Sequence, residues 1–305
     1  VRAVVTGATG FVGRALVAEL RRQDWFVHAL SRSGAATPAN SASTVDLAAE
    51  DLDSGLFGGA DVVFHLAAKT HDMSHAAGVE QEYERVNRIG TTRVVQAACR
   101  AKVRRLVFVS SVKAIDEGNV EPATELTPER PLTPYGRSKL EAEQIVRAEC
   151  GAAGVEHVCL RFPLVYGPGQ RGNLQRMIAA IARGRFPPPP ENGNRRSMLH
   201  VENAVQALML AATHHGAAGK TYIVTDARPY ATRDIVNGAR AALGRPPLRW
   251  YVPFGVFRAA AVVGDVARVV AGRRIGFDST ALQKLLGSAT YDTEAIMREL
   301  GYRPS

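Results

Sequence analysis

Short apolar runs and longer helical stretches alternate along the first half of the chain. Ala3-Val4-Val5 reads as a buried strand, followed by a glycine turn and a helix from about Val12 to Arg22. Phe26 to Leu30 is the next strand, Ser31 to Thr44 a polar loop, Asp61 to Leu66 a strand and Glu80 to Ala101 a helix. Arg105 to Val109, Tyr135 to Glu149 and His157 to Phe162 continue as strand, helix and strand. Continuously apolar strands separated by helices require a parallel sheet covered on both faces. The predicted class is α/β, a doubly wound parallel sheet whose ligands lie at the carboxyl ends of the strands.

After Tyr166 the punctuation changes. Gly167-Pro168-Gly169 and the run Pro187 to Pro190 break the chain, and helices at Val201 to Thr213 and Thr232 to Leu243 flank one more strand, Thr221 to Val224. This pattern predicts a cofactor-binding domain over 1–166 and a smaller, mostly helical substrate lobe over 167–305, with a return to the sheet around 199–226. Val252 to Gly272 is the longest apolar stretch, but Arg258, Asp265 and Arg268 interrupt it short of the roughly 20 residues a membrane span needs. The sequence starts directly on a strand without a charged-then-apolar leader, so a cytoplasmic location is expected.

Composition sharpens the second half. Residues 1–160 hold 18 basic and 20 acidic side chains, whereas residues 161–305 hold 20 basic and 9 acidic, so the net +9 of the 305-residue chain arises entirely there. Most of the basic residues are arginine, which forks onto phosphate and carboxylate. An anionic partner follows: a phosphorylated small molecule, nucleic acid, or an acidic membrane surface, the last if Val252 to Gly272 is amphipathic; the motifs below point away from nucleic acid. Cys99, Cys150 and Cys159 are widely spaced and make no metal-binding pattern, so no metal is expected.

Two clusters carry chemistry. Thr6-Gly7-Ala8-Thr9-Gly10-Phe11-Val12-Gly13 lies between the first strand and first helix, where backbone N–H groups and a helix N-terminus suit a pyrophosphate. The second strand ends Leu30-Ser31-Arg32, without the acidic residue that meets a ribose diol, which leaves NADP beside NAD. Tyr135 and Lys139 stand one turn apart on a helix that Thr133 caps and Pro134 begins, and Ser110-Ser111 end a strand. A free tyrosine titrates near about 10, so an ammonium and a positively charged ring nearby would be needed to make it a base at neutral pH.

The order TGATGFVG, HLAA, Asn87, VSS, YGRSK and VYGPG resembles the extended short-chain dehydrogenases/reductases, a Rossmann-type family, and within them the nucleotide-sugar epimerase/dehydratase/reductase branch of the UDP-glucose 4-epimerase type. The resemblance implies catalytic roles for Ser111, Tyr135 and Lys139. It implies cofactor contacts from Gly7, Gly10, Phe11, Val12, Gly13, Ser31, Arg32, Asp46, Leu47, Leu66, Ala67, Ala68, Lys69, Asn87, Tyr135, Lys139 and Pro163. It places Ser110, Ser111, Lys113, Asn173 and Arg196 against the substrate. The implied cofactor is NAD or NADP, the implied partner a nucleotide-diphosphate sugar, and a homodimer follows by analogy.

The chain departs from the pattern at three places. Leu164 stands where many epimerases have Asn, Ala114-Ile115-Asp116 replaces Val-Tyr-Gly, and Arg273-Arg274 alone could stand in for a C-terminal arginine/aspartate pair. The implied activity is 4-epimerisation of a UDP-hexose or UDP-N-acetylhexosamine. The alternative is NADPH-dependent 4-keto reduction of a UDP-6-deoxy-hexosamine; Val112-Lys113 lacks the acidic pair of a dehydratase. A non-catalytic NADP sensor or nucleic-acid binder is the remote third reading, and both triad side chains that it would lack are present.

Overall fold

The computed structural model describes residues 1–49, 51–70, 78–115, 121–170, 172–271 and 277–305. It divides into two compact units, one of residues 1–169, 199–227 and 291–305, the other of residues 170–198 and 228–290. The first unit thus takes three segments, because the chain comes back to it twice.

The first unit is built on β1 (Arg2–Thr6), β2 (Phe26–Ser31), β3 (Ser41–Thr44), β4 (Val62–His65), β5 (Arg105–Ser111), β6 (Glu156–Phe162) and β9 (Lys220–Ile223). Their order across the sheet is β3-β2-β1-β4-β5-β6-β9, and every pairing is parallel. Two further short strands, β7 (Leu164–Tyr166) and β8 (Met198–His200), form a separate small sheet. β3 lies in the stretch expected to be a polar loop. Its Ser-Ala-Ser-Thr sequence alternates between half-buried and exposed positions at the sheet edge, too short and too polar for an apolar-run signal.

Side-chain alternation sends each inner strand to both faces. Ala3 and Val5 join one core cluster with Leu16 and Leu20 of α1 (Phe11–Arg22), Leu208 of α6 (Val201–Thr213) and Leu300 of α10 (Glu294–Leu300). Val4 joins the other cluster, with Val94 of α3 (Gly90–Arg100) and Val146 of α4 (Pro134–Ala153). The C-terminal segment belongs here because Ile296, Leu300 and Tyr302 are buried in the first cluster, and the Tyr302 hydroxyl donates to the Thr225 carbonyl at 3.0 Å.

The long helix expected over Glu80 to Ala101 is present as three pieces: α2 (Val79–Tyr83), a wider π-helical stretch Glu84–Ile89, and α3. Such widened turns gather at functional sites, and this one carries the buried Asn87.

The second unit contains α5 (Asn173–Ala182), α7 (Thr232–Ala242), α8 (Phe254–Ala271) and α9 (Ser279–Leu286). Arginines tie its loops to helix ends. Arg245 donates to the Ile181 and Ala182 carbonyls at 2.6 Å each, and Arg233 donates to the Leu248 carbonyl at 2.8 Å while pairing with Glu191 at 3.0 Å. Part of the arginine excess is therefore structural.

Candidate active site

The strand order reverses between β1 and β4, so the crevice of the doubly wound sheet opens at their carboxyl ends. The glycine turn follows β1, and Leu66 to Lys69 follow β4. The Gly7 N–H donates to the Leu30 carbonyl at 3.1 Å, and the Leu66 N–H to the Thr6 carbonyl at 3.2 Å. Gly7 has φ +71°, and a Cβ there would lie 2.7 Å from the Ala67 nitrogen; a Cβ on Gly13 would lie 2.2 Å from the Gly7 carbonyl oxygen. Neither position admits a side chain. No side chain caps α1, and its first turn holds no acidic residue. The first-turn N–H groups, which have no partner within a helix, therefore have no capping side chain and no acidic side chain in their own turn. That cradle fits a dinucleotide diphosphate.

Around it, Phe11 and Val12 begin α1 and are half-buried, Ser31 ends β2, and Arg32 is exposed. Asp46 accepts from the Ala48 N–H at 3.0 Å, and Leu47 is buried against the second core cluster. Ala67 and Ala68 are half-buried, the Ala67 N–H donating to Thr6 Oγ1 at 3.3 Å, and Lys69 pairs with Glu82 at 2.6 Å. Asn87 joins this loop to α4. It accepts from the Lys69 N–H at 2.8 Å and donates to the Lys69 carbonyl at 3.1 Å and to Ser138 Oγ at 3.0 Å. Pro163 is half-buried between β6 and β7.

Ser111, Tyr135 and Lys139 come together where β5 meets α4. Thr133 caps α4 by accepting from the Gly136 N–H at 3.1 Å, and Pro134 fills the first helical position, as the sequence predicts. Gly136 is required: a Cβ there would stand 2.2 Å from the Lys113 carbonyl oxygen, so glycine lets α4 meet the turn after β5. Ser111 Oγ accepts from the Lys113 N–H at 3.2 Å and is hydrogen-bonded to Tyr135.

Burial dominates the surroundings of Tyr135. Its phenol is pushed up to about 12, first by desolvation, with the Ser111 hydrogen bond pulling down and Tyr83 adding to the rise. The Tyr83 ring lies 5.7 Å away, centroid to centroid. Lys139 is buried, donates from Nζ to the Val109 carbonyl at 2.6 Å and sits 4.3 Å over the Phe108 ring. Desolvation brings its ammonium down to about 8, against an upward pull from Glu143. His65, fully buried, shares hydrogen bonds with Thr6 Oγ1 at 2.7 Å and Thr91 Oγ1 at 3.0 Å. Desolvation, then the Lys139 charge, bring it to about 3, so it stays neutral.

The other expected substrate residues have their own local settings. Ser110 donates its hydroxyl to Glu143, whose carboxylate also holds Arg161 at 2.7 Å; it serves the buried ion pair, being next to Ser111 on a strand and so facing the other way. Lys113 is half-buried in the short turn after β5. Asn173 opens α5 in the second unit, its side chain outside the described residues, as are Asp116, Arg273 and Arg274. Arg196, also in the second unit, donates to the Gly287 carbonyl at 2.9 Å. Leu164 is 46% exposed.

Sequence reading does not single out Tyr83, Phe108, Val109, Ser138 or Glu143. A four-residue spacing does put Tyr83 with Asn87, and Lys139 with Glu143, on shared helix faces; Phe108 and Val109 gain their roles only through packing.

The chain matches the NAD dependent epimerase/dehydratase family over residues 3–225. It is 28% identical to a UDP-glucose 4-epimerase of Vibrio cholerae over 99% of this chain and 90% of that protein. It is 31% identical to a 4-hydroxy-2-methyl-3-oxo-4-farnesyl-3,4-dihydroquinoline-1-oxide ketoreductase of Stigmatella aurantiaca, over 99% of this chain and 91% of that one. Among solved structures, MoeE5 in complex with UDP-glucose and NAD superposes with a TM-score of 0.78 at 28% identity, covering 100% of this chain and 94% of that one. From the first strand of the large sheet to its last, the match is continuous, and the chain belongs to the NAD dependent epimerase/dehydratase family.

Proposed function

We propose that this chain inverts carbon 4 of a UDP-hexose or UDP-N-acetylhexosamine, with Tyr135 as the proton-transferring group. The observation that carries this reading is the Ser111–Tyr135 hydrogen bond beside the buried Lys139, at the carboxyl edge of the sheet that forms the glycine cradle. Likeness to the Vibrio cholerae 4-epimerase over nearly the whole chain supports the choice of reaction, and the solved complex with UDP-glucose and NAD supports the choice of substrate.

NAD, when bound, supplies the hydride acceptor and donor. The glycine turn and the α1 N-terminus hold its diphosphate, and Asn87 fixes the Lys69 loop against α4. Ser111 holds the sugar's 4-oxygen and relays its proton, and Tyr135 takes that proton and returns it. Lys139 carries the positive charge that stabilises the phenolate. The assignment of Lys113, Asn173 and Arg196 to the substrate rests on the family resemblance, as does a homodimer.

A second reading, 4-keto reduction with NADPH, is favoured by the exposed Leu164 in place of a polar residue and by the ketoreductase relative. Incubation with UDP-glucose, UDP-GlcNAc and a UDP-4-keto-6-deoxy sugar, each with NADH or NADPH, separates the two. Interconversion of epimers without net cofactor oxidation supports the first reading, and stoichiometric NADPH loss supports the second. No turnover of any of the three sugars refutes both.

A further inference from the structure

Helix α8 has apolar residues on both its sides. Phe257, Ala261 and Gly264, spaced four and three apart, are buried. The contact is tight: a Cβ on Gly264 would lie 1.9 Å from the Phe277 carbonyl oxygen. The opposite arc carries Val256, Ala259, Ala260, Val262, Val263 and Val266, all exposed, with Val263 at 68%. Trp250 (61%), Tyr251 and Phe254 extend the exposed surface just ahead of it. A surface helix ordinarily shows water a charged face. Here Arg258 stands at the edge of the arc, and Asp265 is half-buried and accepts from Ser279 Oγ at 2.5 Å. A contiguous exposed apolar surface of this kind marks an interaction site.

Charge identifies the occupant. The second unit holds 16 basic and 4 acidic residues and the first 22 and 25, so the protein's positive charge belongs to the unit that bears α8. Arg249 and Arg258 are exposed beside the apolar arc. A second copy would bring the same positive charge to the contact and be repelled; an anionic surface is attracted. Trp250 and Tyr251 have the apolar body and polar edge that suit a headgroup boundary. Among the described residues no helix is long and apolar enough to cross a membrane, so α8 would lie along a surface rather than through it.

We propose that α8 and the Trp250-Tyr251 segment dock the second unit onto an anionic phospholipid bilayer. Val256, Val262, Val263 and Val266 enter between headgroups, and Arg249 and Arg258 meet phosphates. The inference stands independently of which sugar the enzyme uses.

Flotation of the full chain with vesicles of phosphatidylcholine alone, and of phosphatidylcholine with phosphatidylglycerol, tests it. The expected result is recovery with the anionic vesicles only, declining as salt is raised. Val263→Glu and Arg258→Glu each lower the bound fraction about fivefold or more, with melting curve and turnover in solution unchanged. No recovery with either vesicle, equal recovery with both, or wild-type recovery of both variants overturns the proposal. An oligomer in lipid-free buffer that Val263→Glu dissolves, together with absent vesicle binding, assigns the face to a second copy and equally overturns it.

Discussion

Asn87 donates to the Ser138 hydroxyl at 3.0 Å, and Ser138 donates to the Tyr135 carbonyl at 2.8 Å, so one buried carboxamide spans from the loop after β4 to the first turn of α4. Asn87→Ala breaks all three Asn87 bonds and leaves backbone and hydroxyl groups unpaired in the interior. The expected cost is about 2 kcal/mol of stability, accompanied by NAD affinity reduced by about tenfold as the Lys69 loop loosens. Urea unfolding and fluorescence titration with NADH measure the two; a stability loss with NADH affinity intact would separate the loop from the cofactor.

On the proposed reading, Tyr135→Phe removes the proton-transferring oxygen without changing the ring's packing on Tyr83. Turnover falls by about 10³-fold or more, and NADH titrates as in the wild type. Ser111→Ala, which leaves Tyr135 in place, falls by about 10²-fold. Single-turnover assays read both, and Tyr135→Phe at wild-type rate would assign the proton transfer to another group.

Much of this site is legible in the sequence, for physical reasons that are local. The glycine turn, the Thr133 cap, the Pro134 start and the four-residue step from Tyr135 to Lys139 are each set by neighbouring residues, and neighbouring residues are what a sequence displays. The packed shell is different. Phe108 under Lys139 comes from β5 and Tyr83 beside Tyr135 from α2, and only the assembled layers bring them there. Ser110 shows the limit of adjacency: next to Ser111 in sequence, it faces Glu143. The edge strand Ser41–Thr44 escapes notice because its polar alternation resembles a loop.

His65 predicts an acid limit to stability. Its folded-state value of about 3 lies below the ordinary value of 6.5. The unfolded chain therefore takes up the proton first as pH falls. The contribution of neutral His65 is whole above pH 6.5 and is lost progressively between there and about 3. Between neutral pH and about pH 4.5 this amounts to roughly 2 to 3 kcal/mol. Urea unfolding at the two pH values measures it in the wild type, and in His65→Gln the drop is smaller by that amount. An equal drop in both proteins assigns acid sensitivity elsewhere.

Arg32 follows Ser31 at the end of β2 and is exposed. The family resemblance puts Arg32 near the adenosine ribose, where its guanidinium would pair with a 2′-phosphate. Arg32→Glu weakens NADP binding about tenfold or more and leaves NAD binding within about threefold, by isothermal titration. Equal change for both cofactors places Arg32 away from the ribose.

The three-segment make-up of the first unit sets the order in which the chain can finish folding. All seven strands of the large sheet have been synthesised once β9 is made, yet the core cluster that holds Leu16 and Leu20 still lacks Ile296, Leu300 and Tyr302. Residues 228–290 of the second unit are synthesised in between. A nascent chain at that stage carries an open apolar seam while the intervening residues of the second unit can already collapse, so closure of the sheet unit waits on the last of its three segments and is the step most exposed to misassembly.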